Sequence, residues 1–121
     1  MARFMNKTLH SYLDYPVAIG LITMPFLLGV GESNSIALWL SVVTGVAALT
    51  LTVFTNHQFG LVKLVPYKLH LAVDFMVGAA FVAAPFVLGF AGLDAAYYWV
   101  LGVTVLLVVV LDNTIDAAAA T

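Results

Sequence analysis

His10 and Asp14 stand four residues apart, and so do His70 and Asp74. On a helix this spacing puts each pair on one face with the two side chains in reach of each other. A neutral imidazole can ligate a metal ion or haem iron, and a carboxylate can orient such a ring through its second nitrogen. Asp14 and Asp74 also have the chemistry of proton carriers, but no polar series crosses the apolar segments beside them. The competing reading is structural. Asp14 precedes Pro16, and Asp at a cap with Pro in the first turn is a common helix start. Asp74 does not suit that role, because Pro66 starts its helix well upstream. The pairs would then bond to one another, or to helix ends where two parts of the chain meet. Two histidines without a third strong ligand make a weak metal signature, so the structural reading leads and no cofactor is expected.

The elements that position these residues are set by hydropathy. Hydrophobic residues make up 64% of the 121 residues and charged ones only 8%, too few charges to cover the surface of a soluble domain of this size. The apolar excess must face lipid. Spanning helices need about 20 mostly apolar residues, and four runs qualify, at about Tyr15–Val30, Ile36–Phe54, Leu69–Phe90 and Ala95–Leu111. Glu32, Ser33 and Asn34 form the first turn, and Gly92, Leu93 and Asp94 the last. A longer connection holds Asn56, His57, Gln58, Gly60, Lys63 and Lys68, with His57 expected in solvent. Asp112, Asn113 and Asp116 end the fourth run, and residues 117–121 read as a frayed tail. Such short turns imply antiparallel hairpins, and runs of this length without period-two alternation exclude strands. The predicted fold is an all-α membrane domain of four transmembrane helices, too closely packed to enclose much of a cavity.

Rare residues recur at a fixed offset of 60. His10 falls on His70, Asp14 on Asp74, Pro25 on Pro85, Gly29 on Gly89 and Trp39 on Trp99. Apolar composition would align leucine with leucine, but not these. The chain is therefore a duplication, with repeat 1 at about 9–54, a connecting loop at about 55–68 and repeat 2 at about 69–114. Each copy holds two helices, so both enter the membrane in the same direction. Two parallel hairpins related by a pseudo-twofold axis along the membrane normal are expected.

All four basic residues (Arg3, Lys7, Lys63 and Lys68) fall on one side of the four spans. The positive-inside rule places that side, with both termini, in the cytoplasm. Residues 1–16 contain no apolar signal core, and no cleaved leader is expected. The absence of cysteine excludes disulfides and thiolate metal sites. A net charge of -2 with no basic run argues against nucleic acid as a partner. Trp39, Tyr97, Tyr98 and Trp99 read as an aromatic belt at the opposite interface.

Pro25 and Pro85 sit late in apolar runs. Proline withholds a backbone donor and bends or ends a helix, and neighbouring helices can satisfy the freed carbonyl. Gly29 and Gly89, four residues on, allow a bend or a close approach. Small residues such as Gly20, Gly45, Gly78 and Ala84 suit close helix packing. Thr44 and Thr104 are placed to bond across helices or back to their own.

A two-helix unit with Pro-x-x-Leu-Gly late in its first helix and a Trp opening its second resembles the SPW-repeat family of small bacterial membrane proteins. Pro25, Leu28 and Gly29, with Pro85, Leu88 and Gly89, carry the resemblance, which extends from about Leu9 to Leu111. The family's Ser-Pro-Trp motif stands here as Met24-Pro25-Phe26 and Ala84-Pro85-Phe86. The resemblance implies the four-helix fold and a bacterial inner membrane, and it brings no reaction with it. The sequence contains no nucleophile triad, phosphate-binding loop or dinucleotide fingerprint. The expectation is a non-enzymatic structural, accessory or assembly subunit in the lipid bilayer, as a homo-oligomer or in a larger membrane complex. The alternative is binding or transport of a metal, haem or protons at His10, Asp14, His70 and Asp74.

Overall fold

A computed structural model describes residues 7–55 and 60–112. Arg3, His57, Asn113 and Asp116, which entered the reading of charge and helix ends, lie outside the described residues. The described chain forms four helices, α1 (Lys7–Leu28), α2 (Ser35–Phe54), α3 (Tyr67–Leu88) and α4 (Gly92–Val110). All four are long and apolar enough to cross a membrane, as the hydropathy requires. The closest helix packing is of α1 on α2 and of α3 on α4, so each copy of the repeat is one hairpin. The ends where α1 and α3 begin are called here the connection end, and the opposite ends the turn end.

α1 starts two turns before the apolar run, at Lys7 rather than near Tyr15. Asp14 therefore does not cap a helix: it lies inside one, one turn beyond His10, and Pro16 is also internal. The polar first turns stay helical because the side chains of His10 and Asp14 meet partners on the other hairpin. α3 likewise runs from Tyr67 and carries His70 and Asp74 in its first two turns.

The proline–glycine element closes helices. Val30 N–H donates to Pro25 O at 2.9 Å, across Gly29 with its φ of 75°. That is a left-handed helix termination, in which glycine avoids the strain a Cβ brings. Gly89, with φ 72°, ends α3 in the same way. Open space surrounds both glycines, so they serve chain reversal and not close approach. Proline has a second consequence. It has no N–H for Leu21 O, four residues back, and Ser41 Oγ of α2 donates to that carbonyl at 2.8 Å.

Close approach occurs elsewhere, within the hairpins. A Cβ on Gly45 would lie 2.9 Å from Ala18 O, and one on Gly102 would lie 2.9 Å from Gly78 O. Backbone against backbone at this distance maximises dispersion contact where lipid supplies no hydrophobic drive.

The two hairpins meet through side chains. At the turn end Asp94, buried in the first turn of α4, accepts from Gly31 N–H at 2.8 Å and Ser33 N–H at 2.9 Å. Asn34 caps α2 by accepting from Ile36 N–H, and its amide donates to Leu88 O at 3.2 Å. Each hairpin thus holds the other's turn. Below them Tyr98 is fully buried and donates to Ala37 O of α2 at 2.6 Å. Phe81 and Phe90 pack on the Tyr98 ring at 4.5 and 4.8 Å between centroids.

The aromatic belt divides accordingly. Trp39 and Trp99 are exposed on the outer surface of the bundle, but Tyr97 and Tyr98 belong to the core. Tyrosine buries well when its hydroxyl finds an acceptor, and polar atoms of α2 provide one here.

Candidate functional site

The four repeat-related residues converge at the connection end. His10 Nε2 lies 3.0 Å from Asp14 Oδ1 on its own helix and 3.0 Å from Asp74 Oδ2 on α3. His70 Nε2 lies 3.1 Å from Asp74 Oδ2 and 3.3 Å from Asp14 Oδ2. Both imidazoles thus point the same nitrogen at the same two carboxylates. The rings are nearly perpendicular, at 88°, with centroids 5.6 Å apart. His10 is 1% exposed and His70 2%. These histidines are not exposed side chains at the starts of their helices but the buried seam between the hairpins.

Local structure explains the convergence. Side chains on a helix lean toward its N-terminus over the preceding turn. Asp14 therefore leans back over His10, and Asp74 over His70. With α1 and α3 entering the bundle at the same end, the two faces meet as like against like. Each histidine finds one carboxylate from its own helix and one from the other.

A further layer surrounds the square. Thr55 Oγ1, at the end of α2, lies 2.7 Å from His70 Nδ1 and donates its one hydrogen to Leu51 O at 2.5 Å. The hydroxyl must then accept from the imidazole, which places a proton on His70 Nδ1. On the other side Asp112 Oδ2 lies 3.4 Å from His10 Nδ1 and accepts from Tyr67 OH at 2.5 Å. Tyr67 also meets the His10 ring edge-on, with centroids 5.7 Å apart. The seam therefore draws on α1, α3 and the ends of α2 and α4.

Thr55, Tyr67 and Asp112 could not be anticipated from the repeat. Asp112 corresponds to Thr52 in the first copy and Tyr67 to Lys7. Asp112 resembled a polar stop at the end of an apolar run. Its one sequence signal is that it directly follows Leu111 at the same membrane depth as His10.

A cavity of about 500 Å3 adjoins the square, lined by all four helices. Its walls include Val17, Leu21, Val43, Val77 and Val108, and its polar side chains are the four residues of the square with Thr44, Thr52 and Thr104. The expectation that four such helices enclose little space is therefore corrected. The pockets left between valine and alanine faces are not filled by the larger side chains, which turn outward. Thr44 and Thr104 reach this cavity too, with Thr104 donating back to Val100 O at 2.7 Å.

The site can hold two hairpins together, keep protons on four titratable groups, or accept a cation. His10, Asp14, His70 and Asp74 can each offer one donor atom to an ion, and these atoms all lie within 4.8 Å of one another. Pro25, Gly29, Pro85 and Gly89 are remote from the square and belong to the helix ends.

A family model described as the SPW repeat domain matches residues 6–112, almost the whole chain. Neither a curated protein nor a solved structure matches it.

Proposed function

The chain belongs to the SPW repeat family, and from that premise and the seam between its hairpins we propose a non-enzymatic accessory protein of the bacterial inner membrane, with both termini cytoplasmic. Its task is structural: a rigid, sealed pair of hairpins that docks within an oligomer or a larger membrane complex.

One observation carries this reading. The hairpins are tied by buried polar contacts at both ends, with an apolar interval between. The His/Asp square closes the connection end, and the Asp94 and Tyr98 contacts close the turn end. Between them the lining is valine, leucine and alanine with three threonines, Thr44, Thr52 and Thr104. Ion or proton passage needs polar groups or water along the whole path, and this series stops after one end. Buried polar ties at two levels favour one arrangement of the hairpins over sliding alternatives, which suits a docking part more than a transporter.

Two measurements test the proposal. Membranes solubilised in mild detergent are run on native gels, where the chain should migrate in an assembly well above its monomer mass. Protein reconstituted into liposomes should pass protons and sodium no faster than protein-free liposomes. A monomer under all mild conditions would contradict the docking role. A flux that Asp14→Asn or Asp74→Asn abolishes would contradict the sealed bundle.

A further inference from the structure

We propose that His10, Asp14, His70 and Asp74 form a tetrahedral site for a divalent first-row transition metal ion of the zinc type, with two imidazole nitrogens and two carboxylate oxygens as ligands. This goes beyond the accessory role, which stands whether the square is closed by protons or by an ion.

Each Nε2 lies 3.0–3.3 Å from an oxygen of both carboxylates. Zinc binds imidazole nitrogen and carboxylate oxygen at about 2.0–2.1 Å, so the edges of its tetrahedron are about 3.3–3.4 Å. The four nitrogen–oxygen distances, in which Asp74 offers one oxygen to both rings and Asp14 a different oxygen to each, stand at or just inside that figure. One donor atom from each residue can be chosen with all four within 4.8 Å of one another. An ion between the two rings would take Asp74 Oδ2 and one of the two Asp14 oxygens. The near-perpendicular imidazoles let both Nε2 lone pairs aim at one point without ring contact.

Thr55 fixes a proton on His70 Nδ1, because its own hydrogen is committed to Leu51 O. The neutral form of His70 therefore presents its lone pair at Nε2, toward two carboxylates that also only accept. A lone pair facing two anions is repulsive, and either a proton on Nε2 or a metal cation between the groups relieves it. His10 repeats the pattern with Asp112 at 3.4 Å from its Nδ1, where a small rotation completes the hydrogen bond. That nitrogen is buried and without a hydrogen-bond partner. A ligating histidine whose far nitrogen meets a carboxylate or hydroxyl is the usual outer layer of a metal centre, and Tyr67 in turn fixes Asp112.

Imidazole with carboxylate suits zinc, manganese and ferrous iron, whereas magnesium and calcium take oxygen shells and cuprous ions take sulfur. The chain has no cysteine. Two imidazoles and two carboxylates, four protein ligands in all, favour zinc among these. The carboxylates of Asp14 and Asp74 are 11% and 21% exposed, which leaves an entry route at the connection end.

The test uses the full chain in detergent, with any affinity tag removed, stripped with a chelator and then loaded with Zn2+ or Co2+. Elemental analysis after desalting should find about one Zn2+ per chain, and Co2+ should give the intense visible bands of a tetrahedral ion. The thermal midpoint of the unmodified chain should rise with Zn2+ and fall back with chelator, a readout that needs no variant. The double variant His10→Gln/His70→Gln should lose the ion, and Asp112→Asn should weaken binding by about 10–100-fold. Less than about 0.1 Zn2+ per unmodified chain under saturating load would overturn the proposal. So would a double variant that keeps the tetrahedral Co2+ spectrum.

Discussion

Asp74 Oδ2 lies 3.0 Å from His10 Nε2, although the two residues are 64 positions apart and belong to different hairpins. The reciprocal pair, His70 and Asp14, closes the same square at 3.3 Å. A duplicated face has met its own copy, so that each side chain has a partner on its own helix and another across the seam. Such a contact orients the hairpins, because sliding one helix past the other by a turn would strand four polar groups in an apolar setting.

Exchange of the two partners should be tolerated better than removal of either. Asp74→Asn alone replaces one acceptor oxygen shared by both histidines and is expected to cost about 1–3 kcal/mol. The exchange His10→Asp with Asp74→His keeps two imidazoles and two carboxylates in the square. Reversible unfolding in mixed detergent micelles should place the exchanged protein between the unmodified chain and Asp74→Asn.

Ser41 compensates for Pro25. The proline withholds a donor from Leu21 O, Ser41 replaces it at 2.8 Å, and Tyr97 OH then lies 2.6 Å from Ser41 Oγ. Ser41's one hydrogen goes to Leu21, so Tyr97 donates to Ser41. Ser41→Ala should destabilise by about 1–3 kcal/mol, since it strands both groups. Adding Pro25→Ala returns a backbone N–H to Leu21 O, and the double variant should recover part of that loss. Equal stability of the single and double variants would count against this account.

Asp94 is the corresponding tie at the turn end. Both its oxygens accept backbone N–H groups of the other hairpin's turn. Asp94→Ala removes them together and should cost about 1–3 kcal/mol. Amide hydrogen exchange offers the sharper readout. Gly31 and Ser33 should lose protection while amides in the middle of α2 keep theirs.

Glycines of equal appearance in the sequence should differ in tolerance. Gly102 faces Gly78 O and Val82 N, each 2.9 Å from where its Cβ would be, and Gly20 has only Met24 Cγ at 3.9 Å. Gly102→Ala should therefore separate α3 from α4 at a cost of about 1–3 kcal/mol by overpacking. Gly20→Ala should be neutral or slightly stabilising, because alanine is the better helix former. Thermal midpoints of the two variants check the contrast.

What the sequence disclosed and what it hid follow from the duplication. His10, Asp14, His70 and Asp74 were legible because rare residues recurred at one offset, and the four helices because apolar runs of that length have few other uses. The seam's outer layer was not legible. Thr55, Tyr67 and Asp112 have no like counterpart in the other copy, so no repeat marks them. Tyr97 and Tyr98 stand in the second copy where Ala37 and Leu38 stand in the first. Beside Trp99 they resemble a membrane belt, and only the position of Ser41 and Ala37 O across the seam shows them to be core. The early start of α1 was hidden for a related reason. Hydropathy registers the polar face of its first turns, but not the partners that bury it.

His10 and Asp74 join the hairpins across the seam, and a double-mutant cycle measures that contact directly. Unfolding free energies of the unmodified chain, His10→Gln, Asp74→Asn and the double variant are compared in chelator, so that no metal ion contributes. A coupling of about 1–3 kcal/mol between the two positions is predicted, as for groups in one buried network. Effects that add to within about 0.5 kcal/mol would mean that the two residues do not interact, and would contradict the account.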